Sequence, residues 1–546
     1  MKKKENPVYV IGVDYGTQSA RAQLLTAATG EVLSEAVFSY PHGVMNQFLP
    51  DGTPLVGEHW ALVHPQDYWE ALVQLIHDLL LRSQVDKAFI KGLSIAATAC
   101  TLVPVDASLT PLCYSNAFLQ EPHAYAKLWK HHRAEEYARC MTRIAKERGE
   151  DFIGAFGGAI SSEWVMPKIL EVMREAPEVF QSTDAFMQIS DWLDSLLTGQ
   201  MIRGGGISSF KALYNRESGY PSQDYLTHVH PLLPNAVKYK LRGKMVFPGE
   251  KAGELTPHAA ETLGLLPGVS VASGHTDAHA AALGAGVLQS GDYLIVIGTS
   301  SVTHFLHHEH KLVPGVNACV KNGLLPNLTC YTAGQACVGD MLEWFVRLID
   351  PKKSSETYVQ LEKEAALLNA GDCGLLALDW WNGNRCLLGN NRLSGLMMGM
   401  TLHTSRADIY RALMESIAFG QRMIRDQYEM HGLSVGRVIL CGGIAAKSPL
   451  MCQIMADVLG MPVEISSTNQ ATALGAGMCA AAGLGIKEGG YACLEDAVRH
   501  MSSNASKTVY PDKTQTAKYD AIMKNYRRLH DFFGVEEVQL MENLHI

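Results

Sequence analysis

The amino-acid sequence predicts an α/β protein built from two similar domains. Apolar runs of strand length alternate with helical patterns along the chain, as they do in α/β proteins. The 546 residues exceed what one ordinary hydrophobic core holds. An apolar strand, a Gly-Thr-x-Ser turn and a second strand occur once in each half. This repeat indicates a duplicated unit, with the boundary near residues 280–290.

The first half is predicted to open with a hairpin. A buried strand over Val8–Val13 runs into a turn at residues 14–19 and returns as a second strand over residues 20–25. A helix is expected after Asp67, because leucine and isoleucine recur there at helical spacing. Phe89–Ala97 is predicted to form another strand.

The second half repeats the hairpin, with a strand over Asp292–Ile297, a turn at residues 298–301 and a strand over residues 302–306. The later predicted elements are a helix over Asp408–Met430, a strand over Val438–Leu440, a helix capped by Ser448 and ended by Gly460, a strand over Met461–Ile465 and a helix over Ala471–Leu484. The last helix is so rich in alanine and glycine that it must pack closely against another backbone.

Composition and charge exclude several classes of protein. The formal net charge of −9 argues against a nucleic-acid partner, which would require a basic surface. No apolar stretch is long enough to span a bilayer, and the apolar run after the N-terminal lysines is too short for a secretory signal. The 12 cysteines are scattered without a C-x-x-C pair, which indicates reduced thiols and a cytoplasmic location.

The two Gly-Thr-x-Ser turns are candidate phosphate sites. Phosphate is bound by backbone N–H groups in a small concavity, which turns without bulky side chains can form. Gly16 and Thr17 belong to the first turn, and Gly298 and Thr299 to the second. Asp14 precedes the first turn, where a carboxylate can hold Mg²⁺ through water. Alone, each turn is more typical of an ordinary hairpin; together, with Asp14, they favour a nucleotide site.

Two other nucleotide motifs are absent from the sequence. Residues 441–448 resemble a Walker A loop but lack both required glycines, and no G-x-G-x-x-G follows a strand and opens a helix. A P-loop or Rossmann enzyme is therefore not supported. The Gly442-Gly443 turn remains a candidate surface for a purine base, because a backbone without side chains lets a flat ring approach.

Asp277 is the candidate general base, which could take a proton from a substrate hydroxyl. The surrounding H-x-D-x-H spacing leaves a metal site open as an alternative. In a strand, His275, Asp277 and His279 would share one face and could bind a divalent ion, as in a metal-dependent hydrolase or isomerase.

These motifs resemble the FGGY carbohydrate kinases of the actin-like ATPase superfamily, over nearly the whole chain. The segments 14–21, 297–301 and 440–462 are similar to the two phosphate motifs and the adenosine motif of that family. Narrower matches to the ribulokinase branch are His64–Tyr68, Lys127–His132, Ser161–Trp164, Leu378–Arg385 and Asn391–Leu393.

The resemblance implies two actin-like (ribonuclease H-like) domains with a ligand cleft between them, ATP and Mg²⁺ as cofactors, and a small sugar as substrate. Residues 1–285 would form the sugar-binding domain and residues 286–546 the ATP-binding domain. The residues implied for ATP are Asp14, Gly16, Thr17, Gly298, Thr299, Gly334, Gly442, Gly443 and Lys447, with Asp14 beside the metal. Those implied for the sugar are Ala96, Lys211, Thr332 and the base Asp277.

One position departs from the ribulokinase pattern. Thr332 stands where those enzymes usually carry a glutamate before Ala-Gly-Gln. Losing a charged hydrogen-bond acceptor can cost roughly 1.5–3 kcal/mol, enough to change which pentulose is preferred. The expected reaction is phosphorylation of L-ribulose to L-ribulose 5-phosphate in L-arabinose catabolism, with D-ribulose, xylulose or ribitol as alternative substrates. A homodimer is left open.

Overall fold

The computed structural model describes residues 7–352, 354–466, 468, 470–502 and 507–544. The chain forms two compact units. The first contains Met1–Leu288, Val320–Asn327 and Gln470–Ser503, and the second contains Gln289–Cys319, Leu328–Asn469 and Asn504–Ile546. Within the described ranges, no helix has the length and apolar character needed to cross a membrane.

The first unit is built on a six-stranded sheet. From edge to edge its strands are Lys251–Glu254, Ser270–Thr276, Ile90–Ala97, Tyr9–Tyr15, Ser19–Thr26 and Val32–Ser39. The three strands in the middle of this order, from Ser270–Thr276 to Tyr9–Tyr15, are parallel, and the others pair antiparallel. The predicted first hairpin and the strand that ends at Ala97 are therefore confirmed. Asp14 lies opposite Arg21 on one side and beside Ala96 on the other.

Smaller sheets and helices complete the first unit. A four-stranded sheet contains Leu62–Val63, Ala126–Lys127, Leu102–Val105 and Ala185–Gln188, and Lys244–Val246 pairs with Ile202–Gly204. The α-helices are Pro65–Ser83, Glu135–Arg148, Val165–Glu175, Pro177–Ser182, Ile189–Thr198, Gly205–Lys211, Gln223–Val229, Leu233–Asn235, Pro257–Leu263, Asp277–Gly284, Ala471–Leu484 and Leu494–Met501. Short 3₁₀ or π turns occur at Lys87–Phe89, Leu112–Tyr114, Pro122–Ala124, Asp151–Phe156, Ala236–Lys240 and Ile486–Glu488.

The helix Pro65–Ser83 begins three residues before the predicted start, which was the residue after Asp67. Pro65 occupies the first turn, and the His64 side chain accepts a hydrogen bond from the Gln66 N–H, which satisfies one free donor of the helix end. The helix ends at Ser83, and the C-cap residue Gln84 has a left-handed φ of 54°. The predicted apolar face is buried in the first unit's core.

The second unit is built on a seven-stranded sheet. Its strands in order are Ala318–Lys321, Thr329–Gln335, Ser301–His307, Asp292–Ile297, Arg437–Cys441, Val463–Ile465 and Lys507–Val509. The predicted strand Asp292–Ile297 and its hairpin are confirmed. Five of these strands correspond to five strands of the first unit. Read from Val463–Ile465 back to Thr329–Gln335, they have the same order and relative directions as the first unit's strands from Ser270–Thr276 to Val32–Ser39. Each unit therefore contains the same five-strand core, as the repeated turn predicted.

The remaining elements of the second unit surround this sheet. Its α-helices are Gly339–Ile349, Ser355–Ala365, Arg406–Met430, Gly443–Lys447, Pro449–Leu459, Lys513–Asp531 and Gln539–Glu542, with a π turn at Phe532–Glu536 and a strand pair of Leu376–Leu378 and Leu396–Met398. The helix Arg406–Met430 begins two residues before its predicted start, at a capping box formed by Ser405 and Asp408. The predicted cap at Ser448 and left-handed end at Gly460 are confirmed.

The helix Ala471–Leu484 returns the chain to the first unit. The predicted boundary near residue 285 does not include this return, because sequence position alone does not reveal which sheet a late helix covers. Its predicted close packing is confirmed: a methyl group on Gly475 would lie 1.9 Å from the Ala280 carbonyl oxygen, and one on Gly12 would lie 2.0 Å from the Ala473 carbonyl oxygen.

We expect Gly475→Ala to lower the free energy of unfolding by about 1–3 kcal/mol, because the added methyl group meets fixed backbone rather than a flexible side chain. Urea denaturation followed by circular dichroism measures the effect. Gln74→Ala, at an exposed helical position of the same unit, is the control and should stay within about 0.5 kcal/mol of the parent. Equal midpoints for Gly475→Ala and the parent would contradict the close-contact interpretation.

Candidate active site

Asp14 lies at the carboxyl end of the strand Tyr9–Tyr15, in the middle of the first sheet. Its Oδ2 is 3.8 Å from Nη1 of Arg21. Burial and, to a smaller extent, the charge of Asp277 raise the pKa of Asp14 to about 7, against the opposing effect of Arg21. A bound cation would relieve the repulsion between Asp14 and Asp277. Asp14 is therefore a candidate to hold a hydrated divalent ion such as Mg²⁺.

The first turn is held from three directions. The Gly16 N–H donates to the Ser19 carbonyl (3.0 Å), and the Tyr40 hydroxyl donates to the Gly16 carbonyl (3.1 Å). The indole N–H of Trp129 donates to Oγ1 of Thr17 (3.0 Å), which leaves that hydroxyl's own proton available. The Gly16 amide is therefore already bonded inside the turn, so of these two residues Thr17 is the better candidate for a phosphate donor.

Asp277 is the first residue of the helix Asp277–Gly284, directly after the strand Ser270–Thr276. The Ala278 N–H donates to Oδ1 of Asp277 (2.8 Å). Burial outweighs the lowering effects of this N–H and of the charge of Lys211, and the pKa of Asp277 is raised to about 6. A carboxylate with a pKa near 6 is ionised at neutral pH and more basic than an ordinary aspartate, which suits a general base.

Lys211 and Ala96 belong to the same unit as Asp277. Lys211 ends the helix Gly205–Lys211, and its charge acts on Asp277. Ala96 lies beside Asp14 in the sheet, but its methyl group is fully buried against Ala280 and Ala476. The structure therefore does not support contact between this methyl group and a ligand, because it faces the core of the unit.

The hydrogen bonds of His275 contradict the alternative metal site. Its Nε2 bonds to the Gly323 carbonyl (3.0 Å), and its Nδ1 accepts from the Thr276 N–H (2.7 Å). Both ring nitrogens are thus occupied in a neutral imidazole, and burial lowers the pKa of His275 to about 3. The His279 ring stacks on the His275 ring at 4.3 Å, and Asp277 starts a helix. The three side chains therefore do not share a strand face as that alternative required.

In the second unit, the turn at Gly298 meets the start of the helix Gly339–Ile349. The Gly339 N–H donates to the Gly298 carbonyl (3.0 Å), and the Val338 N–H donates to the Thr299 carbonyl (2.9 Å). The Gly298 N–H closes the turn by donating to the Ser300 carbonyl (3.0 Å), while Thr299 is exposed. This turn is one residue shorter than the first, and Thr299 follows its glycine as Thr17 follows Gly16.

Gly442 and Gly443 adjoin the same hairpin. Gly442 has a φ of 101°, and a methyl group on it would lie 2.4 Å from the Ile297 carbonyl oxygen, so the position requires glycine. The space above Gly443 is open, because a methyl group there would meet no atom within 4 Å. The predicted Gly-Gly turn is thus also the start of the short helix Gly443–Lys447, which ends with the exposed Lys447.

Gly334 and Thr332 lie on the strand Thr329–Gln335. Gly334 is buried, its N–H donates to Sγ of Cys386 (3.0 Å), and a methyl group on it would lie 2.1 Å from the Ser301 carbonyl oxygen. Close packing of two strands therefore explains this glycine without a phosphate contact. Oγ1 of Thr332 lies 3.3 Å from Nδ1 of His304 on the neighbouring strand.

Sequence patterns did not single out the side chains that support the two turns. Trp129 reaches Thr17 from 112 residues away, and Gln335 joins Ser301 to Asp379 in the second unit. Trp129 lies in the ribulokinase-like segment Lys127–His132, and Asp379 lies in the segment Leu378–Arg385. Those segments supported the resemblance, but no role for single residues could be read from them.

Comparison with known families and proteins agrees with this arrangement. Residues 9–284 match the N-terminal domain, and residues 293–484 the C-terminal domain, of the FGGY family of carbohydrate kinases. The chain is 40% identical to a ribulokinase of Geobacillus thermodenitrificans, over 98% of this chain and 96% of that protein. It is 37% identical to a ribulokinase of Mycolicibacterium smegmatis, over 97% and 94% of the two chains.

Solved structures support the predicted fold class. A xylulose kinase from Rhodospirillum rubrum superposes with a TM-score of 0.79 at 22% identity, covering 96% of this chain and 99% of that one. A gluconate kinase from Lactobacillus acidophilus gives 0.81 at 18% identity, covering 98% and 100%. At these identities the likeness concerns the fold, and the α/β class with two actin-like domains is confirmed. The matches to both domain models and to full-length relatives show that this chain belongs to the FGGY family of carbohydrate kinases.

Proposed function

We propose that this kinase transfers the γ-phosphoryl group of ATP to the terminal hydroxyl of L-ribulose, giving L-ribulose 5-phosphate. The placement of Asp277 carries the proposal: it is an ionisable carboxylate at a helix start, buried enough to be basic, with the cation Lys211 within electrostatic range. The ribulokinases at up to 40% identity over nearly the full chain support the choice of sugar and a role in L-arabinose catabolism.

Asp277 would take the proton of the attacking hydroxyl, which makes the oxygen a better nucleophile at the phosphorus. Lys211 would hold a neighbouring sugar oxygen and keep Asp277 ionised at neutral pH. The methyl group of Ala96 is buried, so Ala96 would contribute to the sugar site only by packing its strand in place. Phosphoryl transfer depends mainly on such positioning and on charge stabilisation, so few groups are needed.

In the second unit, Thr299 and the turn that begins at Gly298 would bind the phosphates of ATP. The open backbone at Gly443 would take the adenine ring, with Lys447 at the end of the same short helix. In the first unit, Thr17 would offer a further hydroxyl. Magnesium would be held by Asp14 through water and would supply neutralisation of the phosphate charge. The raised pKa of Asp14 beside another carboxylate fits such a cation.

Phosphorylation of another ketose or polyol, such as D-ribulose, xylulose or ribitol, is the second candidate. Thr332 favours it, because a threonine hydroxyl paired with His304 replaces the carboxylate usual in ribulokinases at this position. We propose a cytoplasmic location, since all the cysteines except Cys140 and Cys493 are buried free thiols, as expected in a reducing compartment.

We expect Asp277→Asn to reduce kcat by about 10²–10⁴-fold, because the amide cannot accept the proton. The variant should melt at the same temperature as the parent or higher. The pKa of Asp277 is raised in the fold, so its ionised form costs stability at neutral pH, and a neutral amide removes that cost. Coupled detection of ADP and thermal melting measure the two effects. Asp224→Asn, at an exposed position of the same unit, is the control; turnover equal to this control would exclude Asp277 as the base.

We expect kcat/KM for the sugar to fall below about pH 6, because protonation of Asp277 removes the base. Lys211 lowers the pKa of Asp277, so Lys211→Met should move this acid limb to higher pH, whatever it does to the maximal rate. Lys211→Arg keeps the charge and should leave the limb in place. Initial rates from pH 5 to 9 at saturating Mg²⁺ measure the position of the acid limb. If the limb of Lys211→Met stays at the pH of the parent, the assignment of the limb to Asp277 beside Lys211 is wrong.

We expect Thr332→Glu to raise the preference for L-ribulose over the other pentuloses by about tenfold or more, because a carboxylate accepts two hydroxyls of defined stereochemistry. ADP release with L-ribulose, D-ribulose, L- and D-xylulose and ribitol gives the ratios of kcat/KM. Thr332→Gln, similar in size but uncharged, is the matched control. Identical ratios in the parent and both variants would remove Thr332 from the sugar site.

A further inference from the structure

A buried polar network lies behind the second turn. Nε2 of Gln335 donates to Oδ2 of Asp379 (2.6 Å) and to the Ile417 carbonyl (3.0 Å), and its Oε1 accepts from Oγ of Ser301 (3.3 Å). Gln421 donates to the same Ser301 oxygen (2.6 Å). Ser301 is the first residue of the strand that follows the turn, so the network connects the end of that turn to the interior of the second unit.

Tyr526 forms the far end of this network. It lies on the helix Lys513–Asp531, and its hydroxyl donates to Oδ1 of Asp379 (2.7 Å). Asp379 therefore receives one donor on each carboxylate oxygen, from Tyr526 and from Gln335. Burial raises the pKa of Asp379 and these two hydrogen bonds lower it, so each bond stabilises the ionised form. Removing either donor would leave a buried carboxylate oxygen without that partner.

The long helix Arg406–Met430 leaves room for the network at Gly420. A methyl group there would lie 2.3 Å from Nε2 of Gln335 and 2.7 Å from Oδ2 of Asp379. A cavity of about 20 Å³ adjoins the same atoms and is lined by Gly334, Gln335, Asp379, Gly420, Tyr526 and His530. This volume holds about one water molecule, so Asp379 and Gln335 have space to move if one of their hydrogen bonds is lost.

We propose that Tyr526 is a positioning residue for the ATP-binding residues of the second unit, acting through Asp379 and Gln335 on Ser301, which directly follows the second turn. The proposal rests on the proposed function, in which that turn binds the phosphates of ATP. The hydroxyl of Tyr526 fixes the carboxylate, the carboxylate fixes the amide of Gln335, and the amide fixes the serine. Small displacements of groups that hold a reacting phosphate have large effects on binding and rate.

The helix Lys513–Asp531, which carries Tyr526, also provides a matched control. Tyr519 is also buried, and its hydroxyl donates to Oε1 of Glu415 (2.7 Å) while accepting from Arg411 (2.7 Å). Tyr526→Phe and Tyr519→Phe each remove one buried hydroxyl that donates to a carboxylate. They differ in the carboxylate: Asp379 bonds to Gln335 behind the turn, whereas Glu415 bonds to Arg411 on its own helix.

The test measures the affinity for ADP by calorimetry, together with KM for ATP and for the sugar. Tyr526→Phe should weaken ADP binding and raise KM for ATP by about threefold to tenfold, with KM for the sugar unchanged. Tyr519→Phe should leave the ADP affinity at the parent value even where its melting temperature falls. Equal ADP affinities for the two variants would overturn the proposal, because a general loss of stability would then explain both.

A double-mutant cycle checks the route through the serine. If Tyr526 acts through Ser301, Tyr526→Phe should weaken ADP binding little further in a Ser301→Ala background. A full, additive loss in that background would overturn the proposed route. Calorimetry with ADP requires no turnover, so a parent enzyme that binds ADP but phosphorylates none of the sugars would contradict the proposed function and still decide the role of Tyr526.

Discussion

Backbone contact between the helix Ala471–Leu484 and its neighbours fixes the candidate site of the first unit. Gly12 of the strand that carries Asp14 meets the Ala473 carbonyl. Gly284 of the helix that begins with Asp277 meets the Ala471 carbonyl, at positions where any side chain would clash. One helix therefore holds the elements that carry both carboxylates. Interiors packed this densely deform little, so the spacing of the two carboxylates is set by the fold.

This rigidity explains the electrostatics of the site. Burial, which the packing imposes, is the main cause of both raised pKa values, and for Asp14 the charge of Asp277 adds to it. Held in place and buried, Asp14 has its pKa raised to about 7 and Asp277 to about 6. The fold thus keeps an unfavourable charge arrangement that a cation, a substrate and Lys211 relieve. Strain of this kind at a functional site is compensated by stability elsewhere, here in the large apolar core of the unit.

Local features of the structure followed from the sequence, and long-range ones did not. The two hairpins, the cap at Ser448 and the close packing of the helix Ala471–Leu484 depend on neighbouring residues, and all were predicted correctly. The return of that helix to the first unit was missed, because no local pattern states which sheet a helix covers. The interior position of the Ala96 methyl group was missed for the same reason, since the face of a buried strand depends on its partners.

The candidate phosphate residues show the same limit at atomic scale. Both turns were found from their glycine and threonine pattern, yet the Gly16 and Gly298 amides close the turns and the Gly334 amide meets a cysteine. A glycine pattern shows that backbones approach closely, but it does not show whether the neighbour is a ligand or another strand. The choice depends on pairing registers such as that between Ser301 and Gln335, which only the folded sheet defines.

In the second unit, buried hydrogen bonds hold the candidate site in place, as backbone contact does in the first unit. Apolar side chains in contact can still shift slightly against each other, whereas a chain of hydrogen bonds fixes both the direction and the distance between groups. Such a chain is costly when any member lacks a partner, so it must be complete to be useful. Asp379 meets this requirement with one donor on each carboxylate oxygen. A buried carboxylate contributes little to stability by itself, and Asp379 is here explained by the precision it gives to the turn that precedes Ser301.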